Sequence, residues 1–354
     1  MKNAVEDVAV RKARLKEVMK TFNTKKNGTL IKFGNEEAPR EQLSWGLKGF
    51  NEFTGGLRRG NWTIAYGSKS VGKTTLVLQA IAHNQILGLV CCYIDMERTF
   101  DVTRAIALGV NMDELILITE ADTAEQVMDV IIKASKEKVI DIFVVDSVQA
   151  LSPEGEQFTK KRKDGSGGTD KKMSDDTIAL LPRKLSEFFR RCAGPLYKAN
   201  AVGILIGQVR TGGIGSFFVH DEMTGGQALK FYNVSTIAMR PGQGADAPTR
   251  TEEIEVTEYE DDDEGEPQAV VKKKKIKVKI GHCVVCKLEK TKITGSKPEG
   301  SQMSVPFLFE SGFETLSTST PITVKPDMLD KVEAKLNKKL KKDKKDEKAD
   351  SNNS

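Results

Sequence analysis

The chain predicts an α/β fold, a largely parallel, twisted β-sheet flanked by helices. Short apolar runs recur from about residue 42: NWTIAY, LVCCYID, LILIT, IDIFVVD and AVGILIG. Most are continuous and β-branched rather than alternating, which is the pattern of strands buried on both faces. Segments of helical period lie between them, among them TTLVLQAIAHNQI, DTAEQVMDVIIKASK and LPRKLSEFFRRCAGPLYKAN. Strand alternating with helix builds a parallel sheet. Ligands of such sheets sit at the carboxyl ends of the strands.

The elements outside this alternation divide the chain into three expected parts, residues 1–36, 37–315 and 316–354. In the first, Val8, Leu15, Met19 and Phe22 fall on one side of a helix over 4–22. A polar turn, NTKKNG, and a strand candidate, TLIKFG, follow. This helix and strand can pack on the chain's own core or on a neighbouring subunit, and the sequence alone favours the first. In the second part, YEDDDEGEP followed by VKKKKIKVKI reads as a long hairpin with a solvated acidic tip. In the third, Leu329, Val332, Leu336 and Leu340 suggest a lysine-rich helix ahead of a disordered tail, KKDKKDEKADSNNS.

Bulk properties narrow the function. A hydrophobic fraction of 38% over 354 residues supports a real core and excludes wholesale disorder. The net charge is only +5, yet lysines cluster at 160–163, 272–275 and 331–345 and acids at 258–266. Such local patches govern partner choice more than the total does. The amino-terminal MKNAVEDVAVRKARLK lacks the apolar stretch of a secretion signal, and no run of about 18 apolar residues is present. Five scattered cysteines, Cys91, Cys92, Cys192, Cys283 and Cys286, fit a reducing cytoplasmic compartment.

GSKSVGKTT, residues 67–75, is the strongest motif. It follows one strand candidate and opens a helix, where backbone amides and the helix amino terminus can cradle phosphates. Gly67, Ser68, Lys69, Ser70, Val71, Gly72, Lys73, Thr74 and Thr75 are the candidate phosphate-contacting residues. Lys73 would neutralise the β- and γ-phosphates of ATP, and the Thr74 hydroxyl would reach Mg²⁺. Asp146 ends the run IDIFVVD, where a metal-bridging acid belongs, although an aspartate there can also cap the next helix. Glu97, just past LVCCYID, is the candidate for activating the attacking water. Asp95 is its rival, with a turn or cap as the other use of that residue. Gln208 follows GILIG and opens the glycine-rich stretch QVRTGGIGSFFVHDEMTGGQALKF. Its amide is placed to report a γ-phosphate.

GSKSVGKTTLVLQAIA, YIDMERTFD, VVDSVQALSP, GQVRTGGIG and TGGQALKFY together resemble the bacterial RecA family of recombinases, including its phage-borne members. The resemblance runs over roughly residues 5–315. It implies a RecA-like ATPase core with an amino-terminal polymerisation element. It also implies DNA-stimulated ATP hydrolysis by a helical filament on single-stranded DNA, which pairs that strand with homologous double-stranded DNA. Recombination mediators and single-strand-binding proteins would be further partners, in the cytoplasm of a bacterial cell or a phage host. Lys73, Glu97 and Gln208 match the catalytic positions, and Thr74 and Asp146 the Mg²⁺ positions. Asp101 and Arg104 join the nucleotide site, Arg104 where an adenine-stacking tyrosine is common. Lys290 and Lys292 match lysines that reach the ATP of the adjoining subunit, although a solvated pair on one strand face is the plainer reading.

Two loops would contact DNA. The first, EGEQFTKKRKDGSGGTDKKMSDD, has the lysines and glycines of a mobile phosphate-contacting segment, and Arg183 and Arg190 share a face of the helix that follows. The second carries Arg210 for phosphate and Gly212, Gly213, Gly225 and Gly226 for close backbone approach. Ile214 or Phe217 would wedge between unstacked bases. Solvated insertion, for the first, and a buried Phe217–Phe218 pair, for the second, are the alternatives. The sequence departs from the family pattern at Gly207, usually asparagine, and in residues 250–275, which read as an insertion. The carboxyl-terminal domain of bacterial members is missing from the pattern, and the tail is basic rather than acidic. GHCVVCKL offers only half a zinc site and reads as a strand bearing thiols. A RecA-fold helicase or translocase would share the phosphate loop and Asp146, but no accessory helicase domain is visible. A non-catalytic nucleotide-gated scaffold would not need Glu97.

Overall fold

The computed structural model describes residues 2–25, 28–157, 180–212, 220–223, 227–242, 249–261 and 267–314. The chain divides after Glu41 into two compact units. The expected tail from 316 onward lies outside the described residues.

In the first unit α1 spans Lys2–Phe22. Along its apolar side Val8, Leu15 and Phe22 are 50%, 40% and 50% exposed. The expected strand TLIKFG is not paired among the described residues. Instead the Asn23 side chain accepts from the Leu30 and Ile31 amides, at 2.8 and 2.9 Å, and donates to the Ile31 carbonyl at 2.7 Å. These are hydrogen bonds that a neighbouring strand would otherwise supply, so this extended segment is held by one side chain rather than a ladder.

The second unit opens with β1 (Gln42–Leu43), α2 (Lys48–Thr54), β2 (Leu57–Arg58) and β3 (Trp62–Gly67). There follow α3 (Lys73–Ile86), β4 (Cys91–Asp95), α4 (Val102–Ala107), β5 (Leu115–Ile118), α5 (Ala124–Glu137) and β6 (Ile142–Asp146). After a 3₁₀ turn, Val148–Ala150, come α6 (Glu154–Gln157), α7 (Leu180–Ala199), β7 (Val202–Gly212), β8 (His220–Met223), α8 (Gln227–Tyr232) and β9 (Asn233–Pro241). The series ends with β10 (Thr249–Asp261), β11 (Pro267–Lys279), β12 (Gly281–Thr291), β13 (Gln302–Leu308) and β14 (Gly312–Phe313).

The main sheet has ten strands. Six run parallel in the order β9-β3-β7-β6-β4-β5, so the parallel core expected from the apolar runs is present. Antiparallel β12, β13 and β14 extend it beyond β9, and β8 pairs antiparallel with the outer part of β7. Every residue of β3, β4 and β6 is buried, which is why these runs do not alternate. Successive residues feed opposite layers. Cys91 and Tyr93 join α3 in one core, whereas Cys92 and Ile94 join α5 and α7 in the other.

In the second core Trp62 meets Phe188 and Phe189 edge-on, each at 5.7 Å between ring centroids. Phe189 in turn stacks on Tyr232. This packing requires glycine at 203, where a Cβ would lie 2.1 Å from the Trp62 ring. The hairpin expected from the acidic and basic runs is β10 with β11, in register from Thr249↔Lys279 to Asp261↔Pro267. Its acidic tip lies outside the described residues. GHCVVCKL is a strand, as expected, and Cys283 and Cys286 are both buried in it.

Candidate active site

The glycine loop is built from two sides. Gly67 ends β3 against β9, so closely that a Cβ would fall 2.0 Å from the Met239 carbonyl oxygen. Gly72 has φ 101° and precedes the first residue of α3, with the Phe307 and Phe313 rings where a side chain would go. Glycine is therefore required twice, once for close approach and once for a left-handed turn. Lys73 is buried and its ammonium donates to the carbonyls of Gly67, at 3.0 Å, and Ser68, at 2.7 Å. Burial lowers its pKa, while Asp146 and Glu97 oppose that shift. Lys69 and Ser70 are exposed and Val71 is buried beneath them. The Ser68 hydroxyl is buried with no hydrogen-bond partner among the described residues. An orphaned donor beside a helix amino terminus and a lysine fits a phosphate group.

Asp146 stands at the tip of β6, in register with Asp95 at the tip of β4. Its Oδ2 accepts from the Thr74 hydroxyl at 2.7 Å and the Tyr93 hydroxyl at 2.6 Å. Burial raises the Asp146 pKa, and these two hydrogen bonds work in the opposite direction. One hydroxyl and one carboxylate in contact suit a Mg²⁺ ion that takes its other ligands from phosphate and water.

Asp95 shapes the turn that follows it. Its carboxylate accepts from the amides of Glu97 (3.0 Å), Thr99 (2.7 Å) and Phe100 (2.7 Å). With all these acceptor sites committed to backbone, Asp95 holds the turn and Glu97 is the acid it presents. Glu97 Oε1 accepts from Gln208 Nε2 at 2.7 Å and from the Ser147 hydroxyl at 2.5 Å. Gln208 is also the last residue of β7 paired with β3, opposite Gly67. Its amide donates to the Gln149 side-chain oxygen at 3.1 Å, and its carbonyl accepts from Gln149 Nε2 at 3.3 Å. Lys73 and Thr74 at the amino terminus of α3 thus gather with Glu97, Asp146 and Gln208 from the carboxyl-end side of β4, β6 and β7.

Sequence reasoning did not single out Tyr93, Ser147 or Gln149. Tyr93 lies two residues before Asp95 in a run read only as core. Ser147 and Gln149 follow Asp146 in VVDSVQAL, and nothing local marks a polar side chain there as bound to a distant strand.

Of the other candidates, Thr75 lies next to this cluster and the rest lie apart from it. Asp101 caps α4 by accepting from the Arg104 amide at 2.9 Å. Arg104 Nη1 donates to the Glu310 carbonyl at 2.5 Å. Thr75 is buried in the first turn of α3. Lys290 pairs with Thr236 and the Lys292 amide donates to the Val234 carbonyl, near the amino-terminal ends of β9 and β3. They therefore sit at the end of the sheet opposite the chain's own glycine loop. The Lys290 ammonium donates to Asn233 Oδ1 at 2.8 Å and to the Lys230 carbonyl. Burial and the Lys292 charge lower its pKa.

Arg183 and Arg190 are both exposed on α7, and neither makes an ion pair among the described residues. Arg210 and Gly212, expected in a loop, both belong to β7, paired with Glu222 and His220 of β8. The glycine-rich stretch showed no strand period, but pairing with β8 carries β7 into its first residues, as far as Gly212. Gly213, Ile214, Phe217, Gly225 and Gly226 lie outside the described residues, as does the first loop over 158–175. Among the described residues no group of three or more His, Cys, Asp or Glu could hold a metal. No helix among them is long and apolar enough to cross a membrane.

Fold and site define a phosphate-loop nucleotide-binding core with an acid at the tip of β6, one strand removed from the strand that precedes the loop. A family model described as the RecA N-terminal domain matches residues 9–258, and the chain belongs to the RecA family. Curated relatives include the Protein RecA of Sulfurovum sp., 37% identical over 62% of this chain and 59% of that protein. The Protein RecA of Colwellia psychrerythraea is 38% identical over 62% of this chain and 60% of that protein. The match thus spans about six tenths of these relatives' length. Among solved structures, the crystal structure of the RadB recombinase covers 78% of this chain and 100% of its own, with a TM-score of 0.50 and 21% identity. That likeness is one of fold.

Proposed function

We propose that this protein is a DNA-dependent ATPase that assembles into a helical filament on single-stranded DNA and pairs it with a homologous duplex. The observation that carries the proposal is a hydrogen-bonded connection between two parts of the site. Glu97, beside the glycine loop and Asp146, is bound to Gln208, and Gln208 lies in β7, the strand that leads into the glycine-rich segment. A change at the γ-phosphate would reach the DNA-facing stretch through one carboxamide.

In this reading ATP places its phosphates over residues 67–75, with Lys73 neutralising charge and Ser68 supplying an otherwise unused hydroxyl. Thr74 and Asp146 would hold Mg²⁺, which supplies further charge neutralisation when bound. Glu97 would take a proton from the attacking water, and Gln208 would exchange its Glu97 hydrogen bond for the γ-phosphate. The position of Lys290 and Lys292, away from the chain's own loop, supports a role at the ATP of an adjoining copy. Asp101 and Arg104 would flank the base. Arg183, Arg190, Arg210 and the glycines of the second segment would meet DNA. The half-exposed apolar side of α1 supports self-assembly. Mediators, single-strand-binding proteins and a cytoplasmic location complete the proposal. A helicase or translocase would share the loop and acids, but no described element supplies an accessory motor domain.

The test is ATP hydrolysis with and without single-stranded DNA. The proposal expects stimulation by DNA and loss of turnover in Lys73→Ala. No stimulation, together with full turnover in that variant, would contradict it.

A further inference from the structure

Gln208 lies where β7 outlasts its neighbour. The β6–β7 ladder ends at Val145↔Leu205, while the β3–β7 ladder continues to Gly67↔Gln208. In a parallel ladder a residue's amide and carbonyl point to the same side. Gln208 therefore has one N–H and one C=O facing the space β6 has left. Both are met by one side chain, Gln149, whose carboxamide accepts at 3.1 Å and donates at 3.3 Å as a peptide group of a further strand would. Gln149 belongs to the short turn Val148–Ala150 directly after Asp146. The same turn region supplies Ser147, whose hydroxyl holds Glu97 Oε1, the atom to which the Gln208 side chain donates.

We infer that Gln149 is a positioning residue that ties the tip of β7 to the Asp146 turn, so that Gln208 is presented to Glu97 from a fixed backbone. Only the Gln208 side chain is then free to choose between Glu97 and a phosphate, and its backbone follows the metal-side acid. Glutamine is specific to this task. Asparagine is one methylene shorter, and glutamate keeps the acceptor but sets a carboxylate against the Gln208 carbonyl. This inference rests on the reading of Gln208 as the link between ATP and DNA.

The discriminating variant is Gln149→Met, matched in size but unable to make either hydrogen bond, with thermal melting to verify folding. Amide hydrogen exchange reads the clamp directly, without ATP or DNA. The Gln208 amide should exchange about 3- to 10-fold faster in the variant, the loss expected for one hydrogen bond, with β6 amides unchanged. In parallel, single-stranded DNA affinity is measured with and without a non-hydrolysable ATP analogue. The variant should lose most of the nucleotide-induced rise, and kcat should fall while the KM for ATP holds, because Gln149 does not touch the phosphate loop. Unchanged exchange at Gln208, or a full rise in the variant, would overturn the inference. Absence of the rise in the unmodified protein would instead overturn the reading of Gln208 beneath it, and with it the purpose of the clamp.

Discussion

Asp95 and Glu97 show how one hydrogen-bond inventory separates two acids that sequence leaves as rivals. A carboxylate that accepts three backbone amides is committed to the fold. Among the described residues Glu97 receives two side-chain donors, both able to move away. Glu97→Gln should therefore lower kcat by about 10²- to 10⁴-fold, the usual worth of a general base, while leaving nucleotide binding intact. Single-turnover hydrolysis beside equilibrium ATP binding checks both halves. Turnover within a few-fold of the parent would move the base elsewhere. At this scale the ends of apolar runs were readable, because Asp146, Glu97 and Gln208 each follow one. Tyr93, Ser147 and Gln149 were not, since their roles depend on which strand tips become neighbours. A tyrosine inside CCYID reads as core until β4 is placed beside β6 and its hydroxyl meets Asp146.

Among the elements, the parallel strands were legible because burial on both faces removes alternation from β3, β4 and β6. The long hairpin was legible from its charge blocks. The extension of β7 was not, since a glycine-rich run has no period and only pairing with β8 makes it a strand. The segment after α1 failed in the opposite sense. TLIKFG has strand composition, but composition supplies no partner, and Asn23 takes the hydrogen bonds instead. Gly203 carries a sharp side-chain packing demand on the central sheet. Gly203→Ala would drive a methyl into the Trp62 ring that Phe188 and Phe189 enclose. The expected cost is about 1–3 kcal/mol or more of overpacking, read as a lower urea midpoint with unchanged slope. A midpoint equal to the parent's would mean that the aromatic cluster yields freely.

For the whole molecule, we propose that the apolar side of α1, where Val8, Leu15 and Phe22 are exposed, is an assembly surface. Val8→Glu and Leu15→Glu should leave the melting temperature within a degree or two of the parent's, since substitutions at such exposed sites usually change stability by about 0.5 kcal/mol or less. They should abolish helical filaments seen by electron microscopy with ATP and single-stranded DNA. Intact filaments in both variants would place assembly on another surface. Filaments in the parent would also separate a recombinase from a ring-shaped motor in one image.

The central claim is that occupancy of the phosphate loop is felt by the DNA-facing strand through Gln208. Its most direct test is the affinity of Gln208→Ala for single-stranded DNA, with and without a non-hydrolysable ATP analogue, alongside its affinity for the analogue itself. The account predicts that nucleotide binding is retained while the nucleotide-induced gain in DNA affinity is lost. A gain as large as the parent's would contradict it.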